Sequence, residues 1–435
     1  MSRCRTRAAT PDHDPGAELH VTTRRQAGTI LGSLAVANLL AYAARNSLFA
    51  VYPALRDRFG FHDAKLGLLA TAFILPHAVA TLPFGWAGDR FDRRRVIALG
   101  LLLASVAGAA GALATDATTL VLSRAVVGVG TAAVVPVANS ILGQIYDGPR
   151  KESRMAIFNL GLLFGGAAGF FVGQAAGFPA VVVVLAIPGA LIALVIALLP
   201  VPAPPGARDA GSSLRDNLGG FFASAKLLLR IPTLRWMMVS TTAMAFAAGG
   251  YSAWLVDFLE RDKGMAPKAA TNLLGATLVG AVFGVVAGGR LADLLRARIE
   301  TGRLWIIVLG MTLAIPCIVA SIELPATWLL YVAGVANLFF MFWYHAPIAV
   351  SIDDVAPPTH AAAAQALVIF TMHLFGTAPA SYVLGLVSDD SSLYRAMWVP
   401  LGFIVVAILS MMLATRTFVR DVRAARGGGA VVASL

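Results

Sequence analysis

Cysteine is nearly absent from this chain: its 435 residues include two, Cys4 and Cys317. The first lies in a polar N-terminal stretch and the second inside a long apolar run. They would sit at different depths, so neither a disulfide framework nor a cysteine metal pair is implied. Charge is also scarce, 13% of residues against 58% hydrophobic, and His, Cys and carboxylates nowhere gather at metal-ligand spacing. No Gly-rich loop ends in the Lys-Ser or Lys-Thr that triphosphate binding needs. These absences argue against metal catalysis, ATP-driven work and any bound cofactor. What remains is apolar: a mean hydropathy of +0.77 exceeds what a soluble chain of this length needs for its cores.

Twelve apolar runs of roughly 18–25 residues are each long enough to cross a bilayer core as a helix. They cover 27–52, 65–86, 96–114, 118–146, 155–176 and 179–200, then 234–259, 267–291, 304–322, 326–352, 360–387 and 393–415. A motif repeats across the two sets. Gly85-Trp-Ala-Gly-Asp89-Arg90-Phe-Asp92-Arg93-Arg94-Arg95 returns as Gly289-Arg290-Leu-Ala-Asp293-Leu-Leu-Arg296-Ala-Arg298, each time after a long apolar run. Matching loops at matching positions mean two halves built on one plan. The expected fold is an all-α membrane protein with twelve transmembrane helices in two pseudo-symmetric six-helix bundles. The expected organisation is a tail (1–23), an N-terminal bundle (24–200), a linker (201–233), a C-terminal bundle (234–416) and a second tail (417–435). The linker combines Pro202, Pro204, Pro205 and Gly206 with an amphipathic stretch bearing Lys226 and Arg230, which predicts a helix on the membrane surface.

A net charge of +11 could suggest nucleic acid, but the placement of the bases points to the bilayer. With the N-terminus inside, Arg90 to Arg95, Arg150, Lys151, Arg154, Arg290 to Arg303 and Arg416 to Arg426 all fall on one side. That asymmetry orients membrane proteins, and it predicts a multi-pass protein of the inner or plasma membrane with both termini cytoplasmic. The polar stretch 1–23 lacks the short apolar region of a removable signal peptide. A monomer without nucleic-acid partners is expected.

The loop Gly-x-x-x-Asp-Arg-x-x-Arg-Arg-Arg, its partner two hundred residues on, and Arg124-x-x-x-Gly128-x-Gly130 in the fourth span resemble the major facilitator superfamily of secondary transporters. Three further stretches are similar to its spinster-type branch, associated with lysolipid and sphingolipid-phosphate transport. They are Tyr42-Ala43-Ala44-Arg45-Asn46-Ser47-Leu48, the run from Gly249 through Trp254 to Arg261, and His373-Leu374-Phe375-Gly376-Thr377-Ala378 with Tyr382 to Asp389 behind it. The resemblance implies alternating-access transport of an amphipathic, lipid-like anion. Exporters of small organic anions or drugs share the fold. A membrane-embedded enzyme or sensor using His345, Asp353 and Asp354 is the reading from another class. Where the branch commonly has membrane acids, this chain has Ala44, Thr131 and Thr377.

Arg45 is the leading binding residue: at 1.5 Å per residue it lies roughly 12 Å inside its span. A guanidinium there suits an anionic head group. Arg124, roughly 9 Å deep by the same rise, is a second cation. Helical spacing joins Asn38, Tyr42 and Phe49 to Arg45, and it groups Phe246 with Trp254, Asn337 with Met341 and Tyr344, and Phe370 with His373 and Thr377. With Thr131, these are the expected pocket. Without membrane carboxylates, proton coupling would fall to His77, His345 or His373, and uncoupled movement is expected. By resemblance, Gly85, Asp89, Arg90, Arg93, Arg94, Gly289 and Asp293 form a conformational switch. Its acids would latch neighbouring helix N-termini near Ser153 and Thr359, and its glycines would allow close helix approach.

Overall fold

The computed structural model describes residues 24–146, 148–202, 214–357 and 360–426. The expected tail 1–23, the stretch 427–435, residues 203–213 of the linker and Thr359 fall outside them, as does the side chain of Ser153. No strand occurs among the described residues. The first half comprises α1 (Arg24–Asn46), α2 (Tyr52–Phe59), α3 (Asp63–Arg90), α4 (Arg93–Gly111), α5 (Ala117–Thr131), α6 (Val134–Ile145), α7 (Gly148–Ala176) and α8 (Ala180–Leu198). The linker carries α9 (Leu214–Leu228). The second half comprises α10 (Pro232–Arg261), α11 (Pro267–Arg296), α12 (Gly302–Glu323), α13 (Trp328–Met341), α14 (His345–Val355), α15 (Ala361–Thr371), α16 (Ala378–Asp390), α17 (Leu393–Ala396) and α18 (Val399–Arg426).

Eleven helical stretches are long and apolar enough to cross a membrane. The seventh expected span, α10, has the length at 30 residues, but Ser240, Thr241, Thr242, Gly249, Gly250 and Ser252 dilute its apolarity. Side chains such as Val106 (62% exposed), Leu191 (59%) and Phe283 (65%) cover the outside of the bundles. An apolar surface of that extent is a liability in water and natural in lipid.

Four expected spans are interrupted, the first near its C-terminal end and the other three in their interior. The first passes from α1 through a 3₁₀ turn, Phe49–Val51, into α2, and the fourth divides into α5 and α6. The tenth has a 3₁₀ turn at Phe342–Tyr344 between α13 and α14. The eleventh has a wide π turn at Met372–Thr377 between α15 and α16. Pro53, Pro136, Pro347 and Pro379 follow these breaks. A proline donates no N–H and crowds the carbonyl four residues back. Those carbonyls belong to Phe49, Ala132, Trp343 and Phe375, which all sit in the breaks.

Within the first half α1 packs on α7 and α4 on α5 and α8; within the second, α10 packs on α18 and α13 on α11 and α12. The α1–α7 approach needs glycine: a Cβ on Gly165 would lie 2.3 Å from the Leu39 carbonyl. Contact between halves runs chiefly through α3 against α16, with α7 against α11 and the 3₁₀ turn against α10. One apolar core, including Tyr52, Leu66, Phe170, Trp254 and Leu384, is continuous across the halves here. A second, around Ile30, Ile97, Ile141 and Phe158, belongs to the first half alone. The halves therefore join at the end of the molecule where α3 begins, the Asp63 end. The opposite, basic end carries Arg90 to Arg95 and Arg290 to Arg303, and there α9 touches both α3 and α15.

Candidate functional site

The breaks in the first, fourth and eleventh spans bring together the residues singled out for chemistry. Arg45 occupies the last turn of α1 and is half-buried. Its guanidinium has no hydrogen bond or ion pair among the described residues; its one neighbour of note is the Tyr42 ring, 5.9 Å away. Its charge lies within electrostatic range of His77 on α3 and of His373 in the π turn. A cation from one half thus faces imidazoles from both halves.

Each imidazole is held by a threonine. His77 Nδ1 lies 3.2 Å from both the Gly128 carbonyl and Thr131 Oγ1. A carbonyl only accepts, and the Thr131 hydroxyl already donates to Val127 and Gly128. Nδ1 therefore carries the proton and Nε2 is the basic nitrogen. His373 Nδ1 lies 2.9 Å from Thr377 Oγ1. Ala44 sits against Phe73, Ile74 and Ala378.

Other expected pocket residues are placed elsewhere. Arg124 is buried over the Phe73 ring at 4.9 Å, and its Nη2 donates to the carbonyls of Ala44 and Arg45 at 3.0 and 3.1 Å. It caps the electronegative end of α1. Asn38 donates to the Phe158 carbonyl at 2.9 Å and ties α1 to α7. Phe246 stacks on Phe403 with ring centres 3.8 Å apart, and Phe370 meets Phe221 of the linker helix. Asn337, Met341, Tyr344 and His345 form a separate group on the tenth span, with the Tyr344 and His345 rings 4.2 Å apart. No hydrogen bond or ring contact links that group to Arg45 among the described residues. Asp353 accepts from Gln365, and Asp354 pairs with Arg303 and Arg426, so neither acid meets His345.

Phe49 and Trp254 belong to a second cluster at the Asp63 end. Trp254 is fully buried, donates through Nε1 to the Ser381 carbonyl at 3.0 Å and packs on Tyr52. Phe49 packs on Tyr52 and Phe170. Just beyond lies an ion network that sequence reasoning missed. Arg56 Nη2 donates to Asp63 at 2.8 Å and to Asp257 at 3.0 Å, and Arg261 Nη1 donates to the same two acids at 2.9 and 3.1 Å. Ser388 adds a 2.6 Å hydrogen bond to Asp63. The Asp389 carboxylate accepts the backbone N–H groups of Asp63 and Ala64, at 2.9 Å each, and so caps α3 from the other half. Two cations and two buried acids balance, and each acid is shared between halves. The approach is close: a Cβ on Gly67 would lie 2.2 Å from the Ser381 carbonyl.

The basic end differs. Asp89 is exposed and makes no ion pair or hydrogen bond among the described residues, and Asp293 reaches only Arg303, at 3.9 Å. Arg93 is buried and donates to Gly88, Ser140 and Gln144, which binds α4 to α6. Arg90 lies over the Trp86 ring at 5.4 Å. Arg94 pairs with Asp92 and reaches the Leu199 carbonyl. This pairing holds the Asp92 carboxyl below the usual carboxylate range. The close approaches lie beside the expected glycines: an added Cβ at Gly85 or Gly289 meets nothing nearer than 3.6 Å. At Gly88 it would meet Val137 at 2.7 Å, and at Gly288 the Trp343 Cα at 2.4 Å.

Two helical halves joined at one end, with broken spans around a central cation, define a membrane transporter. The Major Facilitator Superfamily model matches residues 34–378, and the chain belongs to that superfamily. Within it the chain resembles the spinster-type branch. It is 28% identical over 411 residues to Protein spinster homolog 3 of Danio rerio, covering 88% of this chain and 82% of that protein. It is 26% identical over 381 residues to the Sphingosine-1-phosphate transporter SPNS2 of Mus musculus, covering 82% and 69%. The fold matches a bacterial homolog of the human lysosomal transporter Spinster, in an inward-facing, unoccupied conformation. That match has a TM-score of 0.80 and 21% identity, over 92% of this chain and 99% of that one.

Proposed function

We propose that the protein moves an amphipathic, lipid-like anion of the lysophospholipid or sphingolipid-phosphate type by alternating access. The observation that carries this reading is Arg45, a half-buried guanidinium deep in the first half with no acid or hydrogen-bond partner of its own among the described residues. A charge in that position needs a partner, and the substrate head group supplies it. The name of the SPNS2 relatives, which transport sphingosine-1-phosphate, favours a lipid anion over the small organic anions that other members of the fold could carry.

The basic end faces the cytoplasm by the positive-inside rule, which puts both termini inside. The sealed Asp63 end then faces outward. The halves 24–200 and 234–416 move as two bodies about the linker, in a monomer of the inner or plasma membrane. With Ala44, Thr131 and Thr377 in place of acids, transport is not coupled through a membrane carboxylate. Flux of a labelled anionic lysophospholipid into proteoliposomes, with the lipid recovered chemically unchanged, tests the reading. No flux, or a modified lipid, would overturn it.

A further inference from the structure

A cavity of about 40 Å³ lies inside the first half, among α1, α4, α5 and α8 rather than between the halves. That is room for about three water-sized spheres or one larger ion. Arg124 lines it and is 3% exposed. Its Nη2 is held by the end of α1, but its Nε is sealed from solvent with no partner among the described residues. No acid pairs with this side chain among the described residues: the Phe73 ring and the carbonyls at the end of α1 meet part of its charge, and the Nε–H lacks an acceptor. Such a state is costly unless something accepts that hydrogen.

Three hydroxyls also line the cavity, from Ser47, Ser105 and Thr131. Ser47 donates to the Ala44 carbonyl, and Thr131 donates to Val127 and Gly128. Ser105 is buried and has no hydrogen bond among the described residues. Two donors are thus left to the cavity, Arg124 Nε–H and Ser105 O–H, in a lining that is otherwise mostly Leu, Val, Ala and Gly. The matching occupant accepts two hydrogen bonds, carries one negative charge, tolerates methyl groups and is small. Water would accept the hydrogens but leave the guanidinium charge unbalanced.

We propose that this cavity binds a small monovalent inorganic anion of halide size, held by Arg124 and Ser105, which neutralises Arg124 inside the bundle. The site does not depend on the transported substrate, since it lies within one half.

The test is thermal unfolding of the purified full-length protein in sodium chloride against sodium gluconate at equal ionic strength. Chloride should raise the unfolding temperature saturably, as a ligand of the folded state does, and gluconate, too large to enter, should not. In Gly108→Val an added Cβ meets only Val127 and Val182, at 3.8 and 3.9 Å. The Cβ itself therefore fits, the methyls are expected to fill part of the cavity, and the chloride response should vanish. Ser105→Ala keeps the cavity and should weaken the apparent chloride affinity by about tenfold, one hydrogen bond's worth. Equal stabilisation by chloride and gluconate in the wild type overturns the proposal, as does an undiminished chloride response in either variant. If one variant fails to fold, the other decides.

Discussion

Arg56 of the first half and Asp257 of the second meet at two points, Nη2 to Oδ2 at 3.0 Å and Nη1 to Oδ1 at 3.4 Å. Asp257 is buried to its last atom. Replacing Asp257 leaves Arg56 and Arg261, both partly exposed, to share Asp63 alone, at the cost of charged hydrogen bonds worth about 1.5–3 kcal/mol. Asp257→Asn should therefore destabilise the sealed Asp63 end and move the population toward a state open there. Spin-label distances across that end should lengthen or broaden. A distribution identical to the wild type contradicts the sealing role.

Asp89 presents the opposite case. It is exposed and makes no ion pair or hydrogen bond among the described residues, so Asp89→Asn should leave the sealed end intact. It should weaken the alternative state, in which the carboxylate meets a helix N-terminus. Distances across the basic end should shift toward the open value, with substrate affinity roughly kept. Unchanged distances sink the latch.

Energy coupling follows from Ala44, Thr131 and Thr377. With no carboxylate facing Arg45, a proton gradient alone should not drive accumulation in proteoliposomes. Ala44→Asp should introduce pH sensitivity. Uphill accumulation by the wild type would instead assign coupling to His77, His345 or His373.

At the start of α4 the Asp92 side chain accepts from Arg94 N at 3.1 Å and pairs with the Arg94 guanidinium at 2.8 Å. The folded-state pKa of Asp92 is depressed, so its contribution is complete above the unfolded value of about 3.9 and fades as pH falls through the lower folded value. Asp92→Asn should lower thermal stability modestly at neutral pH, by no more than about 1–2 kcal/mol for a partly exposed cap. The difference from wild type should shrink on acidification into that range. A gap independent of pH down to that range argues against the carboxylate's role.

Hydropathy and the doubled basic loop made the span plan readable, because each span must be long and apolar whatever it packs against. They could not show which spans break. Pro53, Pro136, Pro347 and Pro379 accompany breaks, yet Pro76, Pro83, Pro188 and Pro316 lie in continuous helices. Arg45, His77, His373 and the two threonines were legible as polar residues in apolar runs. Phe246 and Trp254 shared a helical face with plausible pocket positions, but periodicity does not say whether that face meets a cavity or another helix. The Arg56–Asp63–Asp257–Arg261 network was hidden for a related reason. Charges at span ends look like ordinary boundary residues until the fold brings ends some two hundred residues apart together.

The account rests on Arg45 as the partner of an anionic head group, and equilibrium binding tests that most directly. Lysophospholipids with one acyl chain and either an anionic or an uncharged head would be titrated against wild type and Arg45→Gln in the same detergent. The wild type should prefer the anionic lipid, and Arg45→Gln should lose about 1.5–3 kcal/mol of that binding while its affinity for the uncharged lipid stays put. Equal affinities for the anionic lipid in both proteins would contradict the account.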